Sequence, residues 1–181
     1  LADFKGDKPV QAQARKDFLD AIYWLGDLVT DAQGRGRIAV TYPDALTTWR
    51  VTARAITADT RAGLSVARAT TTKDLIVRVV TPRFLTEGDE VVLPTLVHNY
   101  RPDTRNASVA VSVTGLEASG TAPAGAGAPL ASGTERRDDW RFAARAVGTA
   151  TVTATATTET DTDAVELPIP GGEVHPLPAF T

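Results

Sequence analysis

Apolar and polar positions alternate with a period of two along most of this chain. Ile38, Val40 and Tyr42 are interleaved with Arg37, Ala39 and Thr41, the pattern of a strand with one buried face. Trp49, Val51, Ala53 and Ala55 share one face of the next run, and Arg50, Thr52 and Arg54 take the other. Further on, Leu75, Val77 and Val79 oppose Ile76 and Val80. The alternation predicts strands around 23–30, 36–42, 48–57 and 64–71, then near 75–81, 90–98, 107–114, 139–146, 149–156 and 163–169. Turn formers separate them. Asp31 and Gly34 close the first pair, and Pro43-Asp44 ends the second run because proline cannot donate to a ladder. One helical spacing competes near the start, where Val10, Ala14, Phe18 and Ile22 follow Pro9. Short strands at such intervals imply an all-β protein built of antiparallel β-sandwich modules with little helix.

The alternation resets across Thr70-Thr71-Thr72-Lys73-Asp74, which divides the chain into modules at 15–72 and 73–170. The first has four strands, too few for a closed sandwich. It either borrows strands from sequence before residue 1 or is completed by its neighbour. Residues 1–14 form a polar lead-in, and 171–181 form a Pro/Gly-rich tail or linker. Between Gly115 and Gly133 an Ala/Gly/Pro-rich stretch reads as a long loop, with a short strand hidden near 129–132.

Composition removes several function classes. Nineteen Lys and Arg are interspersed with 22 Asp and Glu for a formal net charge of −3, which supplies no basic face for nucleic acid. No apolar run approaches the roughly 20 residues of a membrane-spanning helix. With no cysteine there is no thiolate nucleophile and no Cys-ligated zinc. The histidines, His98 and His175, lie far apart: His98 suits a hydrogen-bonded structural role, and His175 sits in the Pro-rich tail. Glu87 and Asp89 flank a turn glycine rather than a glycosidic bond, and Asp138-Asp139 behind Arg136-Arg137 reads as a solvated strand end. Glu159, Asp161 and Asp163 alternate as ligands of a hard cation would, although a polar inter-strand loop explains them better. Asn106-Ala107-Ser108 fits the glycosylation pattern. Trp24 and Trp49 fit core packing better than sugar recognition. No catalytic, cofactor-binding or metal residues are assigned, and the chain reads as a non-enzyme.

The fixed spacing of Trp24, Thr30-Asp31, Gly34, Pro43-Asp44, Thr47 and Trp49 resembles the alpha-2-macroglobulin family. The likeness continues through Pro82-Arg83-Phe84-Leu85, Glu87-Gly88-Asp89-Glu90 and Val97-His98-Asn99-Tyr100, and covers residues from about 15 to about 170. High Ala, Arg and Thr content without cysteine points to the bacterial branch. The resemblance implies macroglobulin-like modules that follow the bait region and precede the thioester domain of a broad-range endopeptidase inhibitor. It places residues 1–14 at the trailing edge of the bait; Lys5 and Lys8 within it, and Arg15 and Lys16 just after it, are cleavable if exposed. The thioester motif Cys-x-Glu-Gln is absent from a chain without cysteine. Implied partners are other modules of the parent chain and, through the parent, its target proteases. The implied location is the periplasm, cell surface or medium, with any export signal on sequence outside these residues. The alternative is an Ig-like spacer or adhesin module of a bacterial surface protein, since sandwiches carry many functions.

Overall fold

The computed structural model describes residues 13–121, 123, 127–169 and 174–175, the last two by their backbone. The lead-in up to residue 12, with Lys5, Lys8 and Pro9, most of the tail, and the centre of the Gly115–Gly133 loop lie outside the described residues. The described chain is all-β, without helix, and divides into two compact units. One is Asp17–Thr72. The other combines the described residues up to Lys16 with those from Lys73 onward.

In the Asp17–Thr72 unit a single ladder forms, the antiparallel pair β1 (Thr48–Ile56) and β2 (Ala62–Thr70), in register from Thr48↔Thr70 to Ile56↔Ala62. The expected strands at 23–30 and 36–42 do not form. The turn between them does, with Asp31 N–H bonded to the Arg35 carbonyl and the Asp31 carboxylate accepting from Gln33 and Arg35 N–H. Its arms stay unpaired. They are broken by Gly26 and Gly36, and isolated hairpin arms hold together only where a face is buried. Here Leu25, Leu28, Val29 and Ile38 are exposed.

The other unit is a sandwich of two four-stranded sheets. One sheet has the order β11-β10-β6-β8, from β6 (Arg105–Thr114), β8 (Ala128–Leu130), β10 (Thr151–Thr157) and β11 (Thr162–Pro168). The opposite sheet runs β3-β5-β9-β7, from β3 (Leu75–Val79), β5 (Glu90–Asn99), β7 (Glu117–Ala118) and β9 (Glu135–Ala143). Two-residue strands β4 (Leu85–Thr86) and β12 (Val174–His175) pair in parallel beside them. The predicted strands of this half are present within a few residues, and the hidden strand is β8. Period-two alternation works here because each strand buries one face: Leu75, Val77, Leu93, Val97 and Phe142 meet Ala107, Val152, Ala154, Ala156 and Val165. Each fully buried Leu or Val contributes about 1.5–3 kcal/mol. The alanines of β10 leave room for the larger side chains opposite. Its threonines 151, 153, 155 and 157 alternate with these inward residues.

β9 starts at Glu135, four residues before the expected 139, and its charged first half pairs with Leu96, Val97 and His98 of β5. The Arg136-to-Asp139 run is therefore not a solvated end. Arg137 and Asp139 pair on the exposed face at 2.8 Å, whereas Asp138 is buried and Arg136 half-buried on the other.

Candidate functional site

The alternation already implies where the charged side chains that matter must lie. Asp163 is in phase with Val165 and Leu167, and Arg136 and Asp138 are in phase with Trp140 and Phe142, so each points with apolar neighbours. A buried ion requires a partner and further hydrogen bonds.

Asp163 has no exposed surface. Arg15 Nε donates to its Oδ1 at 2.9 Å and Arg15 Nη2 to its Oδ2 at 2.7 Å, a two-pronged pairing. Lys73 Nζ donates to Oδ1 at 2.7 Å, and the Val77 backbone N–H donates to Oδ2 at 2.9 Å. Burial alone would push this carboxyl up. Arg15, Lys73 and the Val77 amide outweigh it and hold Asp163 below the usual carboxylate range. Arg15 Nη2 also donates to the Val77 carbonyl at 2.8 Å. Carboxylate and guanidinium together take the N–H and C=O of one residue on β3, an edge strand, as a neighbouring strand would. The backbone of Arg15 does the same for β11. Its N–H donates to the Ala164 carbonyl and its carbonyl accepts from Glu166 N–H, forming a parallel bridge to Val165. The expectation that Arg15 is a cleavable site is thus corrected: this residue is buried, while Lys16 beside it is exposed.

On the other flank Arg136 of β9 donates to Asp138 at 3.1 Å, to the Ala107 carbonyl of β6 at 3.0 Å and to the Ala128 carbonyl of β8 at 3.3 Å. An Arg–Asp pair therefore staples the two sheets on each side.

The carboxylates weighed as cation ligands are committed to different partners. Arg101 grips Asp161 through Nε at 2.6 Å and Nη2 at 2.8 Å, and Thr160 Oγ1 adds a donor at 2.7 Å. The Arg101 hydrogen bonds hold the Asp161 carboxyl at about 2 against the opposing effect of burial. Glu159 accepts from Asn106 Nδ2 at 3.1 Å, and Asp163 is shared by Arg15 and Lys73. Among the described residues no three His, Asp or Glu side chains gather as metal ligands. Glu87 and Asp89 sit at a turn, where Asp89 accepts from Thr86 N–H at 2.8 Å and Gly88 holds φ at 95°.

His98 is half-buried and stacks on Tyr100 at 3.9 Å between ring centroids. The backbone of His175 pairs with Thr86. Asn99 is the residue of that motif that organises its surroundings. At 1% exposure, it donates from Nδ2 to the Asp103 and Leu130 carbonyls at 2.8 and 3.0 Å, and its Oδ1 accepts from Arg101 N–H at 3.0 Å. An open groove lined by Ser112, Val113, Thr114, Thr151, Thr153 and Glu166 brings one carboxylate among hydroxyls, without histidine or cation.

In the Asp17–Thr72 unit the end of the spaced motif, from Thr47, gathers around Trp49. Its indole N–H donates to Thr71 Oγ1 at 3.0 Å, which donates to the Ala45 carbonyl at 2.7 Å and accepts from Thr47 N–H at 3.2 Å. Tyr42 lies 5.9 Å away, ring to ring, and Asp44 accepts from Asp17 N–H at 3.1 Å. Trp49 is 8% exposed, as its phase predicts. Trp24 is 92% exposed, so the core role expected of it is corrected: the run in which it sits makes no ladder and buries no face.

A family profile described as the alpha-2-macroglobulin family matches residues 21–111, half of the chain. An alpha-2-macroglobulin homolog of Nostoc sp. is 37% identical over 103 residues, which are 57% of this chain and 5% of that protein. Alpha-2-macroglobulin of Ralstonia nicotianae is 33% identical over 111 residues, covering 59% of this chain and 7% of its own length. The chain therefore spans a small fraction of the relatives it matches. A structure of Escherichia coli alpha-2-macroglobulin activated by porcine elastase aligns at a TM-score of 0.70 and 24% identity, covering 81% of this chain and 13% of that one. The trypsin-activated Escherichia coli protein gives 0.69 at 23% identity, covering 81% and 10%. At these identities the structural likeness speaks for the fold alone, antiparallel β structure of the macroglobulin type. With the motif from Trp24 to Trp49 and the first sandwich strands both inside the matched region, the chain belongs to the alpha-2-macroglobulin family.

Proposed function

We propose that this chain is a non-catalytic scaffold within a bacterial endopeptidase trap of the alpha-2-macroglobulin type. The observation that carries this reading is the family match across residues 21–111, which runs through the Asp17–Thr72 unit and into the sandwich. The use of polar chemistry supports it. Asp163, Asp161, Asp138 and Asn99 are all engaged in holding strands and loops. The relatives activated by elastase and by trypsin support a parent protein on which proteases act. In this reading residues 1–14 trail the bait segment and 171–181 lead to the next module. The fragment works without cofactor, meets its partner modules within the parent, and meets proteases only through it. The location is the periplasm, cell surface or medium.

The test is to incubate the intact parent with a panel of endopeptidases and follow hydrolysis of large and small substrates. Trapping spares the large substrates while small ones are still cleaved. A parent that spares neither overturns the inhibitor reading and leaves the Ig-like spacer as the account of the fold.

A further inference from the structure

Both cations that meet Asp163 lie at the boundaries of the other unit. Arg15 stands two residues before Asp17, and Lys73 directly follows Thr72. The chain leaves the sandwich for the intervening unit just after one cation and returns on the other. We propose that Asp163 is a double anchor, a single carboxylate that holds both chain connections of the Asp17–Thr72 unit to the sandwich.

The geometry separates this role from ordinary core packing. Sandwich strands are held by ladders of many backbone bonds, whereas among the described residues the Arg15 segment has one bridge, through Ala164 and Glu166. A single bridge with two backbone hydrogen bonds is a weak tether by itself, since folding only exchanges such bonds for bonds to water. The two-pronged guanidinium–carboxylate pair adds the directional hold that fixes the segment in register. On the other side, Lys73 precedes β3, and the same carboxylate accepts the Val77 amide near the middle of that strand. Asp163 thus sits at a position where loss of one charge releases two segments 58 residues apart in sequence, the difference between 73 and 15.

The test is hydrogen exchange read by mass spectrometry on the 181-residue chain, comparing peptides over 13–18 and 72–78 with the β5 and β9 peptides as internal references. Asp163→Asn is expected to speed exchange by about tenfold or more in both segments while β5 and β9 keep their protection. Arg15→Gln is expected to loosen 13–18 and Lys73→Gln to loosen 72–78. Asp161→Asn, at a carboxylate held by Arg101, is expected to leave both unchanged. The proposal is overturned if Asp163→Asn changes one segment alone or neither. It is also overturned if β5 and β9 lose protection by the same factor, which would make Asp163 a residue of the common core. Should Asp163→Asn fail to fold, the two cation variants decide. Each leaves one positive partner on the carboxylate, and absence of loosening in both overturns the anchor.

Discussion

Asn99→Ala tests whether one amide sets the loop end of the sandwich. The substitution removes three hydrogen bonds, two donated to the Asp103 and Leu130 carbonyls and one accepted from Arg101 N–H. At about 1 kcal/mol net for each bond, their loss amounts to about 3 kcal/mol. The bond to Leu130 is buried, so its carbonyl loses its partner out of reach of water, whereas the groups on Asp103 and Arg101 are part-buried and rehydrate more readily. A loss of about 3–4 kcal/mol follows, a large share of the roughly 5–15 kcal/mol that holds a domain folded. Asn99→Asp keeps the acceptor but turns a carboxylate toward two carbonyl oxygens at a site with 1% exposure, and is expected to be at least as damaging. The assay is urea unfolding followed by fluorescence, with Trp24 and Trp49 replaced by Phe so that Trp140 reports on the sandwich. The midpoint should fall with the slope unchanged. A loss below about 1 kcal/mol for Asn99→Ala, or an Asn99→Asp variant as stable as its parent, would refute the reasoning, because either requires that the amide is not the group satisfying these loops.

Three further substitutions and a titration extend the test. Gly115→Ala is expected to lower the melting temperature sharply, with a loss above about 2 kcal/mol: Gly115 holds φ at 73°, and an added Cβ would lie 2.1 Å from the Thr149 carbonyl oxygen. Trp49→Ala should remove about 3–5 kcal/mol from its unit, seen as lost exchange protection across β1 and β2. Trp24→Ala, at a position 92% exposed, should change stability by less than about 0.5 kcal/mol in the same measurement. Asp161 titrates at about 2 in the folded state against 3.8 for an unperturbed aspartate. Its contribution is therefore complete above about pH 5 and is lost as pH falls through about 2. Asp161→Asn should flatten acid unfolding in that window, and an unchanged acid limb would count against the Arg101 pairing.

Most of the sandwich was legible because its strands obey one rule, a single buried face that alternation reports directly. β5, β6, β10 and β11 fall within about two residues of the run of Val, Leu, Ala and Thr that predicts them. The start of β9 was not, because Glu135 to Asp138 carry charge where alternation calls for apolar residues. The structure accommodates Arg136 by giving its guanidinium two backbone carbonyls and Asp138. A charge in phase with Trp140 and Phe142 was the available signal, and the same signal marks Asp163 beside Val165 and Leu167. What no local pattern contains is the partner. Arg15 meets Asp163 across 148 positions, and nothing in the lead-in distinguishes it from Lys16. The runs 23–30 and 36–42 misled for the opposite reason: alternation reports a face able to be buried, not the surface that buries it.

The pairing of Arg15 with Asp163 also has a consequence in time. A chain is made from its N-terminus at about 5–20 residues per second, so the 148 positions between these residues take about 7–30 s to synthesise. Strands and hairpins form in microseconds to milliseconds once their partners exist. Throughout synthesis of β1 to β10, the segment at Arg15 has no β11 to join, and its guanidinium has no carboxylate at position 163. The first described stretch to leave the ribosome is thus among the last to be set. It docks as the closing edge of a sandwich whose other sheet, β3, β5, β9 and β7, has already been completely translated.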